Sequence, residues 1–210
     1  MKTATRPGLW SAAGLAGLAL ALSSGGAEAH MNTTGLGPVY DGVAHFALTP
    51  EDSIPVAGLA VLAGLRGPAH GRRALFVLSA CWFVGGAAGL LIGRPGEGFT
   101  AALSLLLIGG LVAADAPLSS WAVAAVAAVL GTSHGYVDGS SLPSDSSGFL
   151  MVLAMSAAVF VSYAIVAASL LPLQSRLAHI AMRVSGSWIA ASGLLLLGWT
   201  LRGGIRIAAQ

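Results

Sequence analysis

From Pro50 to Leu201 the chain returns repeatedly to long apolar stretches joined by short polar links, and this pattern constrains the fold more than any other feature. Six stretches can be counted: Pro50–Leu65, Ala74–Gly93, Phe99–Ala114, Pro117–Gly135, Gly148–Leu171 and Val184–Leu201. A helix that crosses a bilayer takes about 20 apolar residues, so the first and third are short for a crossing. Backbone polar groups find no partners in hydrocarbon, which favours helices for apolar runs of this length. The chain is 56% hydrophobic and 9% charged, with a mean hydropathy of +0.83, a makeup that a water-soluble domain of 210 residues does not need. The expected fold is all-α: a polytopic membrane bundle of about six transmembrane helices within residues 30–210.

Two segments precede the bundle. Residues 1–29 read as a signal peptide: Lys2 and Arg6 are followed by the apolar run Leu9–Leu22 and by Ala27-Glu28-Ala29, a small-x-small cleavage pattern. An uncleaved first helix is the alternative. Leu36–Leu48 is too short to span, and is expected to form an interfacial or re-entrant helix against the outer face. Thr49-Pro50-Glu51-Asp52 then marks a helix start, with Thr49 as cap, Pro50 in the first turn and the acids at the positive end of the helix.

Charge orients the bundle. The links carrying Arg66, Arg72, Arg73, Arg176 and Arg183 are expected in the cytoplasm, which places the mature N-terminus in the periplasm of a bacterial inner membrane. Arg202 and Arg206 run against this scheme. A formal net charge of +2, with no basic patch among aromatics, gives no reason to expect a nucleic-acid partner. The expected partners are the lipid bilayer and a transition-metal ion, with a homo-oligomer or a membrane-complex partner left open. The single cysteine, Cys81, lies in an apolar run and reads as packing. So does the stripe Gly85, Gly89, Gly93, whose four-residue spacing lets another helix approach closely.

The chemistry sits in two pairs. Asp41 and His45 are four residues apart, as are His134 and Asp138, and in the expected topology both pairs lie at the outer membrane face. Ionisable groups at a hydrocarbon edge need partners. Structural helix-end roles would account for each pair separately. Taken together, two imidazoles and nearby carboxylates suit a borderline divalent cation such as nickel, cobalt or zinc. The candidate ligands are His45 and His134, with Asp41, Asp52 and Asp138 supplying oxygen or charge. No HExxH or P-loop pattern occurs, and no enzyme, nucleotide site or permanently bound cofactor is expected.

The stretches GPVYDGVAHFALTPEDSIPVAGLAVLAG and TSHGYVDG resemble the HupE/UreJ family of bacterial nickel and cobalt permeases. Gly42 and His45 match the glycine and first histidine of the family's first motif. Asp52 matches its aspartate with one extra residue of spacing, and Glu51 is the ungapped candidate. His134 and Gly135 match the His-Gly of the second motif. Phe46 stands in place of the motif's proline, Ser53 in place of its second histidine, and Asp138 where glutamate is usual. The resemblance implies an inner-membrane permease for Ni2+ or Co2+. A non-transporting subunit that assists metalloenzyme assembly is the alternative.

Overall fold

The computed structural model describes residues 34–93, 99–173 and 175–208, with side chains to 202. The expected signal segment, residues 1–29, and its expected cleavage site lie outside these residues. Seven helices follow in order: α1 (Pro38–Leu48), α2 (Pro50–Gly64), α3 (Pro68–Ile92), α4 (Phe99–Ala113), α5 (Ser120–Ser140), α6 (Ser146–Leu170) and α7 (Arg176–Ala208).

The all-α architecture is as expected, but the number of spans is not. Among the described residues three helices are long and apolar enough to cross a membrane, α3, α6 and the Arg176–Arg202 part of α7. The bent pair α1 and α2 would make a fourth if counted as one span, so the expectation of about six is overturned. The reasons are local. α4 has only 15 residues, and α5 spends its last two turns on polar groups that include His134 and Asp138.

The bend between α1 and α2 is 71°. Pro50 has no N–H to continue α1, and a residue before proline is driven out of helical geometry. Thr49 accordingly is extended, at φ −99° and ψ 98°. Its hydroxyl was expected to cap α2; instead it donates to the His45 carbonyl at 2.6 Å and closes the end of α1. The two helices therefore form a corner, with His45 just before it and Asp52 just after.

α2 is the central strut, burying Asp52, Pro55, Val56, Leu59, Leu62 and Ala63 among its neighbours. The tightest helix pair is α3 with α5. Gly85 and Gly89 of α3 lie against the backbone of Thr132 and Tyr136, while Gly131, Gly135 and Gly139 of α5 lie against the backbone of Leu78, Trp82 and Gly86. Gly93 is not part of this stripe: at φ +64° it ends α3 in the left-handed conformation open to glycine. Outward side chains such as Phe76, Val129, Ile165 and Leu195 are exposed and apolar, as lipid-facing positions require.

The ends of the bundle differ in charge. At one end Arg66 pairs with Asp115, Arg73 bonds Ser120 and lies 4.1 Å from the Trp121 ring centre, and Arg183 donates to the Ala113 carbonyl at 3.1 Å. At the other end the described charges are Asp41, Glu51, Asp52, Asp138 and Asp145, with Arg202 as the exception. Asp145 caps α6, and the Ser147 hydroxyl and Gly148 N–H hold its carboxyl below the usual carboxylate range.

Asp115 gives a test of the arginine end. It sits at φ 50°, a left-handed turn that aspartate and asparagine tolerate and alanine does not. Asp115→Asn keeps the turn and loses the ion pair, at a cost of about 1 kcal/mol or less. Asp115→Ala loses both, and its thermal midpoint in detergent falls further, by a difference of about 1 kcal/mol or more.

Candidate metal site

Four of the five candidate residues converge. α5 runs on to Ser140, so His134 and Asp138 lie on one face of a helix rather than beyond its end, and both are buried. The corner at Thr49 turns His45 and Asp52 toward that face. Nε2 of His45 is 3.7 Å from Oδ1 of Asp138. Nδ1 of His134 is hydrogen-bonded to Oδ1 of Asp52 at 2.7 Å. His45, Asp52 and Asp138 each bring a ligand atom to within 4.8 Å of the others.

His134 stands behind this trio. Both its nitrogens are engaged, Nδ1 by Asp52 and Nε2 by the Ser104 hydroxyl at 2.9 Å. The ring lies tilted by 32° against Trp82, centres 5.6 Å apart, and Trp82 in turn meets Phe46 edge-on at 5.8 Å. The carboxylate–imidazole–hydroxyl order is also that of a nucleophilic triad. The Ser104 hydroxyl also lies 2.9 Å from the Ala101 carbonyl of its own helix, a second contact that holds it beside the ring.

Asp41 is not brought in. One turn before His45, its carboxylate accepts from the Thr34 N–H at 2.5 Å and the Thr34 hydroxyl at 2.6 Å. It steadies the start of α1. Glu51 is exposed, so Asp52 is the acid of this segment that faces inward. Ser104 and Trp82 carry no signal in the sequence, and Phe46 stands out there only as a departure from the family motif. Ser104 stands in an apolar run with no partner nearby in sequence.

The electrostatics of the trio are unbalanced. Asp52 and Asp138 are 5% and 7% exposed, and Oδ2 of each is buried with no hydrogen-bond partner. A buried unpaired carboxylate oxygen costs several kcal/mol, roughly, and two side by side also repel. A cation held between them, with the His45 nitrogen, would remove both penalties. The donor set of one nitrogen and several oxygens suits divalent first-row metals better than soft Cu(I).

Comparison with known proteins is consistent with this chemistry. The family described as HupE / UreJ protein matches residues 18–196. No curated protein and no solved structure matches the chain.

Proposed function

The chain belongs to the HupE/UreJ family, and from that premise we propose that it is a permease for a divalent transition-metal ion, nickel or cobalt. The observation that carries this reading is the pair of buried carboxylates, Asp52 and Asp138, each with an unpartnered oxygen beside the His45 imidazole. His45, Asp52 and Asp138 are the ligands in this reading. His134 is a positioning residue that holds Asp52 by one nitrogen while Ser104 fixes the other, the arrangement by which outer groups commonly orient metal ligands.

The direction of capture follows from charge. Arginine-rich ends of membrane proteins face the cytoplasm, so the acidic end and its site face the outside of an inner membrane. Acids at that end attract a hydrated divalent ion, and the donors replace part of its water shell. The 3.7 Å between His45 and Asp138 leaves the trio open enough to close on an ion. A site that passes its ion on must not bind it too well, and a trio completed by water is better suited to release than a closed cage of four protein ligands.

Uptake into proteoliposomes that hold the purified chain tests the reading, with nickel, cobalt, zinc and copper compared by elemental counting. Nickel or cobalt is expected to accumulate above protein-free vesicles, and Cu(I) is not. Accumulation of none of the four metals would remove the permease reading.

A further inference from the structure

A cavity lies at the opposite end of the bundle from the metal site. It measures about 570 Å³ and is bounded by the end of α2, the start of α3 and the last turns of α6. That volume is in the range of small-molecule sites, about 300–1,000 Å³. The cavity exists because its walls are built from small residues: Ala164, Ala167 and Ala168 on α6 face Gly64 and Gly71, and a Cβ on Gly71 would meet nothing within 4 Å.

Its polar groups are few and of one kind. Arg66 and Arg72 line it, Arg66 tied by one nitrogen to Asp115 but with Nε unpartnered, and Arg72 exposed. Deeper in, Tyr163 is fully buried, lines the cavity, and has a hydroxyl with no hydrogen-bond partner. Two guanidiniums repel a divalent cation, so this cavity is a poor exit for the ion proposed above. They suit a phosphate, and the apolar walls suit a hydrocarbon chain. Basic pockets between membrane helices on the cytoplasmic side bind lipid headgroups by this combination.

We propose that this cavity binds an anionic phospholipid of the surrounding bilayer. Its phosphate rests on Arg66 and Arg72, and one acyl chain fills the space beside Ala167. The site is separate from the metal trio and does not depend on what that trio carries.

Native mass spectrometry and thermal unfolding of the full chain in a zwitterionic detergent test this, with added phosphatidylglycerol, phosphatidylcholine or glycerol 3-phosphate. Phosphatidylglycerol is expected to form a one-to-one adduct and raise the midpoint, while the other two do not. Arg72→Gln, at an exposed position, should fold normally and weaken the adduct about fivefold. Ala167→Phe should fill the cavity and abolish the adduct. Equal shifts with phosphatidylcholine would mean ordinary solvation by lipid, and equal binding of glycerol 3-phosphate would mean a free-phosphate site; either overturns the proposal. So would an adduct unchanged in both Arg72→Gln and Ala167→Phe.

Discussion

Replacement of His45 by alanine is expected to reduce metal uptake to that of protein-free vesicles. Asp138→Asn should do the same, because His45→Ala removes a donor and Asp138→Asn replaces an anionic oxygen by a neutral one in a site of only three protein ligands. His134→Ala should cost less, about 10–100-fold in apparent affinity, since it frees Asp52 without removing a ligand. Ser104→Ala should cost less again, because it leaves the Asp52–His134 bond in place. His179→Ala, at an exposed position far along the chain near the arginine-rich end, should behave as the unmodified protein. The test is initial uptake rate against metal concentration, at equal protein content in the membrane. The order of losses separates the proposed roles: if His134→Ala abolishes uptake while His45→Ala spares it, the assignment of ligand and positioning residue is reversed. If neither variant differs from the unmodified chain for any metal, the shared site is wrong and the assembly-subunit reading takes its place.

Substitution of Gly135 is expected to have the largest effect on folding. In an exposed helix interior, glycine to alanine gains about 0.5–1 kcal/mol through lost backbone freedom in the unfolded chain. Gly110→Ala should show that gain, as a Cβ there meets nothing within 4 Å. At Gly135 the sign reverses. A Cβ would lie 2.9 Å from the Trp82 carbonyl carbon and 3.0 Å from the Gly86 nitrogen, both backbone atoms that cannot swing aside. Helices α3 and α5 must then separate, at a cost of about 1–3 kcal/mol for alanine and more for leucine. His134 precedes Gly135 and Asp138 follows it by three residues, so the displacement also dismantles the site. Gly135→Leu should give no monodisperse protein on size-exclusion chromatography, and Gly135→Ala a lowered thermal midpoint with reduced uptake. A midpoint for Gly135→Ala at or above that of Gly110→Ala would mean that the two helices are not held at this glycine.

The fivefold lipid effect expected at Arg72 and the small loss expected at Asp115 concern the other end of the molecule. They should leave the metal site unchanged. Any coupling between the ends would run through α2, which starts at the corner beside Asp52 and ends at Gly64, against the lipid cavity.

What could be read from the sequence alone is what depends on neighbours in the chain. Apolar runs mark the helices because a backbone in hydrocarbon must bond to itself, and Pro50 marks a helix start because it lacks an N–H, whereas the role of Gly93 as the end of α3 at positive φ emerged only from the fold. The four residues of the site carried their chemistry openly, and the two motifs that hold them resemble the family that the comparison then showed. What only the tertiary structure decided is which of these groups meet. Asp52 and His134 are 82 residues apart, and their bond depends on the Thr49 corner and on how α5 is rotated against α3 by facing glycines. Asp41 reads as well as Asp138 in the sequence, yet Thr34 takes its carboxylate on the exposed side of α1. The number of spans also escaped the sequence, because hydropathy counts apolar residues and does not record that α1 and α2 bend by 71° or that polar residues continue α5 inside the bundle. Contacts between distant segments are set by helix rotation and close approach, and neither is encoded in any one stretch of the chain.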